Sequence, residues 1–124
     1  MGFSIKQKNN LCTGIKLAAE LESSEANLRK FITVHGYVYD EFGKRKKMKN
    51  ILNANISNQI FFELYCYEIP VEYYINKWDV TEDDLLNAVC KNDIKGIQEL
   101  EMELQNYIQD FSVLEPEWCC DSLL

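Results

Sequence analysis

Segment 31–39, FITVHGYVY, constrains the fold more than any other stretch: seven of its nine residues are β-branched or aromatic. Such side chains fit a pleated, half-buried surface and favour a strand. Residues 59–69, QIFFELYCYEI, repeat the signal. Between them, Asp40-Glu41-Phe42-Gly43 offers the acceptor and the glycine that a tight turn wants, and 44–52 alternates loosely with Met48 and Leu52 on one side. The expectation is a three-stranded antiparallel meander. Side chains alternate across a strand, so Phe61, Tyr65 and Tyr67 cannot share a face with Phe62. If one face is core, the other presents large aromatics, which are common binding anchors. The competing reading is an all-α bundle, because Leu28, Ile32, His35, Tyr39 and Phe42 also recur at helical spacing.

The flanks read as helix. Leu11, Ile15, Ala18 and Leu21 predict one over 11–29, which Ser23-Ser24 interrupts or recaps. Pro70 suits a first helical turn, with Val71, Tyr74, Ile75 and Trp78 along one face. Thr81 with Asp84 forms a capping-box start, and Glu82-Asp83-Asp84 sits where a helix dipole favours negative charge. Leu85, Leu86 and Val89 would then point inward. A last helix is expected from Ile94 to Phe111, with Ile97, Leu100, Leu104, Tyr107 and Ile108 on its apolar arc. Glu99, Glu103, Asn106 and Asp110 form the opposite stripe, without a cation. The expected fold is α+β: an N-terminal helix, the three-stranded meander and two to three C-terminal helices. Two prolines and five glycines leave no linker, so residues 1–124 read as one domain, with a tail over 112–124 that docks through Trp118 or stays loose.

Charge is divided along the chain. Residues 1–50 carry ten basic and five acidic residues, and residues 51–124 carry three basic and fifteen acidic, within a net charge of −7. The acidic part should repel nucleic acid and anionic lipid and attract a basic protein. The five cysteines lack the regular spacing of a secreted disulfide framework. The first residues show no apolar core of signal length, Lys6 stands where a myristoylation signal wants Ser or Thr, and no run of 18 apolar residues occurs. A cytoplasmic protein with no membrane segment is expected.

No motif fixes a chemistry. His35 is the only side chain with a pKa suited to acid–base work near neutrality, but its strand setting points to a structural role. Cys119-Cys120 lacks any zinc-like spacing and reads as an incidental pair. Asp79, Glu82, Asp83 and Asp84 lack an EF-hand's glycine and distal glutamate, and helix capping accounts for them. The run Lys44-Arg45-Lys46-Lys47-Met48-Lys49 could contact phosphates, yet it fits better as an edge strand whose lysines discourage sheet-to-sheet association. No catalytic residue, metal or cofactor is expected.

In size, acidity and lack of catalytic motifs the chain resembles bacterial immunity proteins, which neutralise toxins. The resemblance is one of class. It implies a non-enzymatic inhibitor that covers the basic cleft of a toxin nuclease, with association steered by charge. Glu99, Glu103, Asp110, Glu82 and Asp83 are the expected acidic contacts, and Tyr73, Tyr74 and Trp78 the aromatic ones. The alternatives are a nucleic-acid-linked module using 44–49 and an enzyme with an unrecognised site.

Overall fold

Leu28–Tyr39 pairs antiparallel with Phe61–Pro70 in continuous register, from Leu28 opposite Pro70 to Tyr37 opposite Phe61. The two segments richest in strand formers thus lie side by side at the centre of the sheet. A computed structural model describes residues 2–39, 42–47 and 60–120. In chain order its elements are α1 (Ile5–Cys12), β1 (Leu17–Leu21), β2 (Leu28–Tyr39), β3 (Arg45–Lys47), β4 (Phe61–Pro70), α2 (Val71–Ile75), β5 (Leu86–Lys95), α3 (Gly96–Leu104) and β6 (Glu115–Pro116), with 3₁₀ turns at Glu82–Asp84, Phe111–Val113 and Glu117–Cys119. The sheet runs β5-β4-β2-β1-β6, all antiparallel. The twelve-residue β2 has β4 on one edge. Its other edge is shared, by β1 along residues 30–34 and by β3 along 37–39.

Period-two alternation sorts the side chains. Ile32, Val34, Phe62, Leu64 and Cys66 enter the main core, where Leu11 of α1, Leu100 and Leu104 of α3, and Phe111 cover them. Each fully buried Leu or Phe contributes about 1.5–3 kcal/mol. The opposite face carries Phe31, Thr33, His35, Tyr37, Phe61, Tyr65 and Tyr67. Here Phe31, Tyr67 and Ile69 form a small second cluster under Tyr73, Tyr74, Val80, Leu85 and Cys120. As the sequence implies, Phe62 is core while Phe61, Tyr65 and Tyr67 lie on the other side.

The expected fold is overturned. The architecture is mainly an antiparallel sheet of six strands with short helices, neither a three-stranded meander followed by helices nor an all-α bundle. The 11–29 helix does not form. A capping box at Ser4 and Gln7 starts α1 earlier, and Gly14 at φ 85° follows its C-cap Thr13. A left-handed glycine just past the C-cap is a stop signal. Leu17, Ala18 and Ala19 are then buried in a strand between β2 and β6.

In the C-terminal part, the capping box at Thr81 and Asp84 is present but opens a single 3₁₀ turn. The chain then supplies β5, because β4 has a free edge whose backbone groups a strand can pair. Leu86 and Val89, expected to point inward, are exposed. The last helix starts at Gly96 (φ 84°), not Ile94, and ends at Leu104, although Leu100, Leu104, Ile108 and Phe111 still reach the core. Of the expected middle strand 44–52, Arg45–Lys47 forms β3 at the end of β2, so it does not separate β2 from β4. Met48–Leu52, Asp40-Glu41 and residues 121–124 lie outside the described residues. Residues 115–116 of the tail pair with β1, and the Glu117 N–H donates to the Lys16 carbonyl at 2.9 Å. No helix among the described residues is long and apolar enough to cross a membrane.

Candidate functional site

The face of the sheet away from α1 and α3 carries two arginine–tyrosine–carboxylate knots with a cleft between them. The first is built at the far end of β2. A bulge in β5 sets Asp93 at φ 58°. Its N–H donates to the Tyr37 hydroxyl at 2.7 Å, and that hydroxyl donates to Asp93 Oδ1 at 2.6 Å. Tyr39 donates to the same carboxylate oxygen. Phe61 stacks on Tyr37 with ring centroids 6.2 Å apart and meets Tyr39 edge-on at 5.2 Å. Arg45 lies 3.9 Å over the Tyr37 ring and donates to Glu63 at 2.8 Å. Burial and the Asp93 carboxylate push the Tyr37 phenol up, and the two tyrosine hydroxyls hold the Asp93 carboxyl below its ordinary range.

The second knot centres on Arg29. It binds Glu20 through Nε at 2.8 Å and Nη2 at 2.6 Å, and lies 4.2 Å over the Tyr74 ring. Between the knots is a cleft of about 570 Å³ lined by Thr33, His35, Glu63, Tyr65, Glu82 and Trp118, among others. Lys16 lies on one side of it, 3.7 Å from Glu117. Tyr65 meets Tyr67 edge-on at 5.2 Å. Trp118 is 71% exposed. A larger groove of about 740 Å³ runs between α1 and the tail, lined mainly by Phe3, Asn10, Phe111 and Pro116. Trp118, Asp110 and Glu115 also line it, but no tyrosine or histidine does.

The expected contacts divide between two sides of the sheet. Tyr73, Tyr74, Trp78, Glu82 and Asp83 lie on or beside the open face. The Tyr73 hydroxyl donates to Asp84, and its ring meets Trp78 edge-on at 5.4 Å. Glu99 and Glu103 lie on α3, and Asp110 caps the turn at Phe111–Val113. Glu103 is 3.3 Å from Lys91, so the acidic stripe is not free of cations. Glu99 accepts from the Lys95 N–H at 3.2 Å. Within the basic run, the Arg45 guanidinium stacks on Tyr37 and pairs with Glu63, while its side chain stays 42% exposed; Met48 and Lys49 lie outside the described residues. Sequence reasoning missed Tyr37, Tyr39, Asp93 and Trp118. Alternation in 31–39 already places Thr33, His35, Tyr37 and Tyr39 on one face; nothing in it points to Asp93.

His35 lines the cleft and makes no side-chain hydrogen bond among the described residues. No group of three or more His, Cys, Asp or Glu among those residues is placed to hold a metal. Burial lowers the imidazole pKa from its ordinary 6.5; Glu63 and Glu117 oppose the shift, and Lys16 and Arg45 reinforce it. The neutral ring's contribution to stability is therefore complete above 6.5 and is lost as pH falls through the folded value. Glu63→Gln is expected to lower the His35 pKa further and Arg45→Ala to raise it. A proton NMR titration of the chain's single histidine reads both shifts; reversed signs would place the ring outside this pair's field.

No protein-family model, curated protein or solved structure matches the chain.

Proposed function

We propose that this is a small acidic binding protein that holds a basic protein partner against the open face of its sheet, and that the partner is a toxin nuclease whose cleft it blocks. The observation that carries this reading is the preorganised aromatic surface. Tyr39, Trp78 and Trp118 are between 39% and 71% exposed, and hydrogen bonds and ring contacts hold Tyr39 and Trp78 in place. Large rings fixed before binding lose little rotamer freedom when a partner arrives, and Tyr, Trp and Arg dominate binding hot spots. Three carboxylates and a single lysine line the cleft beside them. Glu99, Glu103 and Asp110, on the other side, add to the long-range field that steers a cation inward. The tethering of Arg45 weighs against the nucleic-acid alternative.

The test is quantitative binding to the partner that co-purifies from the native host. Tyr39→Ala with Trp118→Ala should weaken affinity about 10- to 100-fold, mainly through faster dissociation. Glu99→Lys with Glu103→Lys should slow association and leave dissociation nearly unchanged. Undiminished affinity in the aromatic double variant would remove the open face from the interface.

A further inference from the structure

Both knots on the open face share one pattern: a guanidinium rests on a tyrosine ring while a glutamate takes its N–H groups. Arg29 does this with Tyr74 and Glu20, and Arg45 with Tyr37 and Glu63. The cleft between them offers a third tyrosine–glutamate pair, Tyr65 and Glu82, close enough for the Glu82 charge to act on the Tyr65 phenol. The chain has only two arginines, and both are committed. Among the described residues, Glu82 makes no ion pair and no cation lies over the Tyr65 ring.

A second observation points the same way. Thr33 is 9% exposed and lines the cleft floor, and its hydroxyl has no hydrogen-bond partner among the described residues. That hydroxyl opens to the cleft and is not sealed in the core, so a donor or acceptor that enters there can reach it. His35 stands two residues along the same strand face, and burial favours its neutral form, which can accept a hydrogen bond.

We propose that the cleft seats the guanidinium of an arginine side chain projected by the basic partner, its plane on Tyr65, ion-paired to Glu82, with Thr33 and His35 as further acceptors. The inference rests on the binding reading above and names the group that the face recognises. Arginine fits better than lysine because a flat five-donor fork can stack on a ring while bonding several acceptors at once.

The test titrates the full chain with tetra-arginine, tetra-lysine and tetra-citrulline peptides at about 150 mM salt, where the Debye length is about 8 Å. The His35 ring protons and the Trp118 indole proton report in NMR. The arginine peptide should bind about tenfold more tightly than the lysine peptide, and citrulline should not bind. Glu82→Gln should weaken arginine binding about five- to tenfold, and Thr33→Val about threefold. Tyr65→Leu should abolish the preference for arginine over lysine. Glu82 is exposed, so Glu82→Gln keeps the test decisive even if Tyr65→Leu unfolds. Equal binding of arginine and lysine, no binding by any peptide, or an effect of Glu82→Gln no larger than that of Glu99→Gln would overturn the proposal. If the partner still needs Tyr39 and Trp118 but ignores Glu82 and Tyr65, the binding reading stands and the arginine seat falls. If arginine peptides bind the cleft while partner affinity ignores every residue of the face, the reverse holds.

Discussion

Gln7→Ala is expected to lower the free energy of unfolding by about 2 kcal/mol, because its loss strips the Leu114 carbonyl of the Gln7 donor and leaves the Phe111 carbonyl with the Leu114 N–H alone. Gln7 is 9% exposed at the third position of α1. Its Nε2 donates to the Phe111 carbonyl at 2.7 Å and to the Leu114 carbonyl at 3.0 Å. Its Oε1 accepts from the Ser4 N–H at 2.9 Å, and its own N–H donates to Ser4 Oγ at 3.1 Å. The residue therefore starts the first helix and fastens a segment more than a hundred positions away, whose Phe111 and Leu114 are themselves buried. Alanine removes half of the capping box and both tethers, while the Phe111 carbonyl keeps the Leu114 N–H at 3.1 Å. Urea unfolding followed by circular dichroism measures the loss. A change below about 1 kcal/mol would mean that the 111–114 segment is held by apolar packing alone.

Leu64→Ala is expected to cost about 3 kcal/mol, while Leu86→Ala and Val89→Ala each stay within about 0.5 kcal/mol. Leu64 is fully buried at the centre of β4, under the helical layer, where truncation leaves a cavity that the surrounding sheet cannot close. Leu86 and Val89 lie on the edge strand β5 and are 44% and 41% exposed. The sequence alone points Leu86 and Val89 inward as well, since Leu85, Leu86 and Val89 fit the inward side of a helix. Equal losses at the three sites would restore the helical reading of 82–91. The expected contrast supports a strand laid along the free edge of β4.

Where side-chain alternation was strong, the fold was legible. β2 and β4 follow from their β-branched and aromatic density, and the division of Phe61 from Phe62 follows from pleat geometry. The arc through Leu100, Leu104, Ile108 and Phe111 also found the core, because burial depends on which side is apolar and tolerates a helix that ends early. β1 was hidden: Leu11, Ile15, Ala18 and Leu21 match helical spacing by coincidence, and the decisive signal was the glycine at 14. β5 was hidden for a different reason. Leu86–Lys95 has little local preference for a strand, and it becomes one because β4 offers it hydrogen-bonding partners at distant positions. The candidate site was half legible. Alternation could have gathered Thr33, His35, Tyr37 and Tyr39, but Asp93 reaches the tyrosines only through a bulge, and single-sequence periodicity carries no sign of it.

The two irregularities of β5 have a bearing on self-association. Asn87 (φ 51°) and Asp93 (φ 58°) take left-handed backbone conformations beside breaks in the pairing register with β4. A neighbouring molecule trying to prolong the sheet there would meet an outer rim that kinks twice within ten residues, so its amides could not stay in step for more than a few positions. The same distortion that delivers a carboxylate to the tyrosine cluster thus also denies a fibril its template.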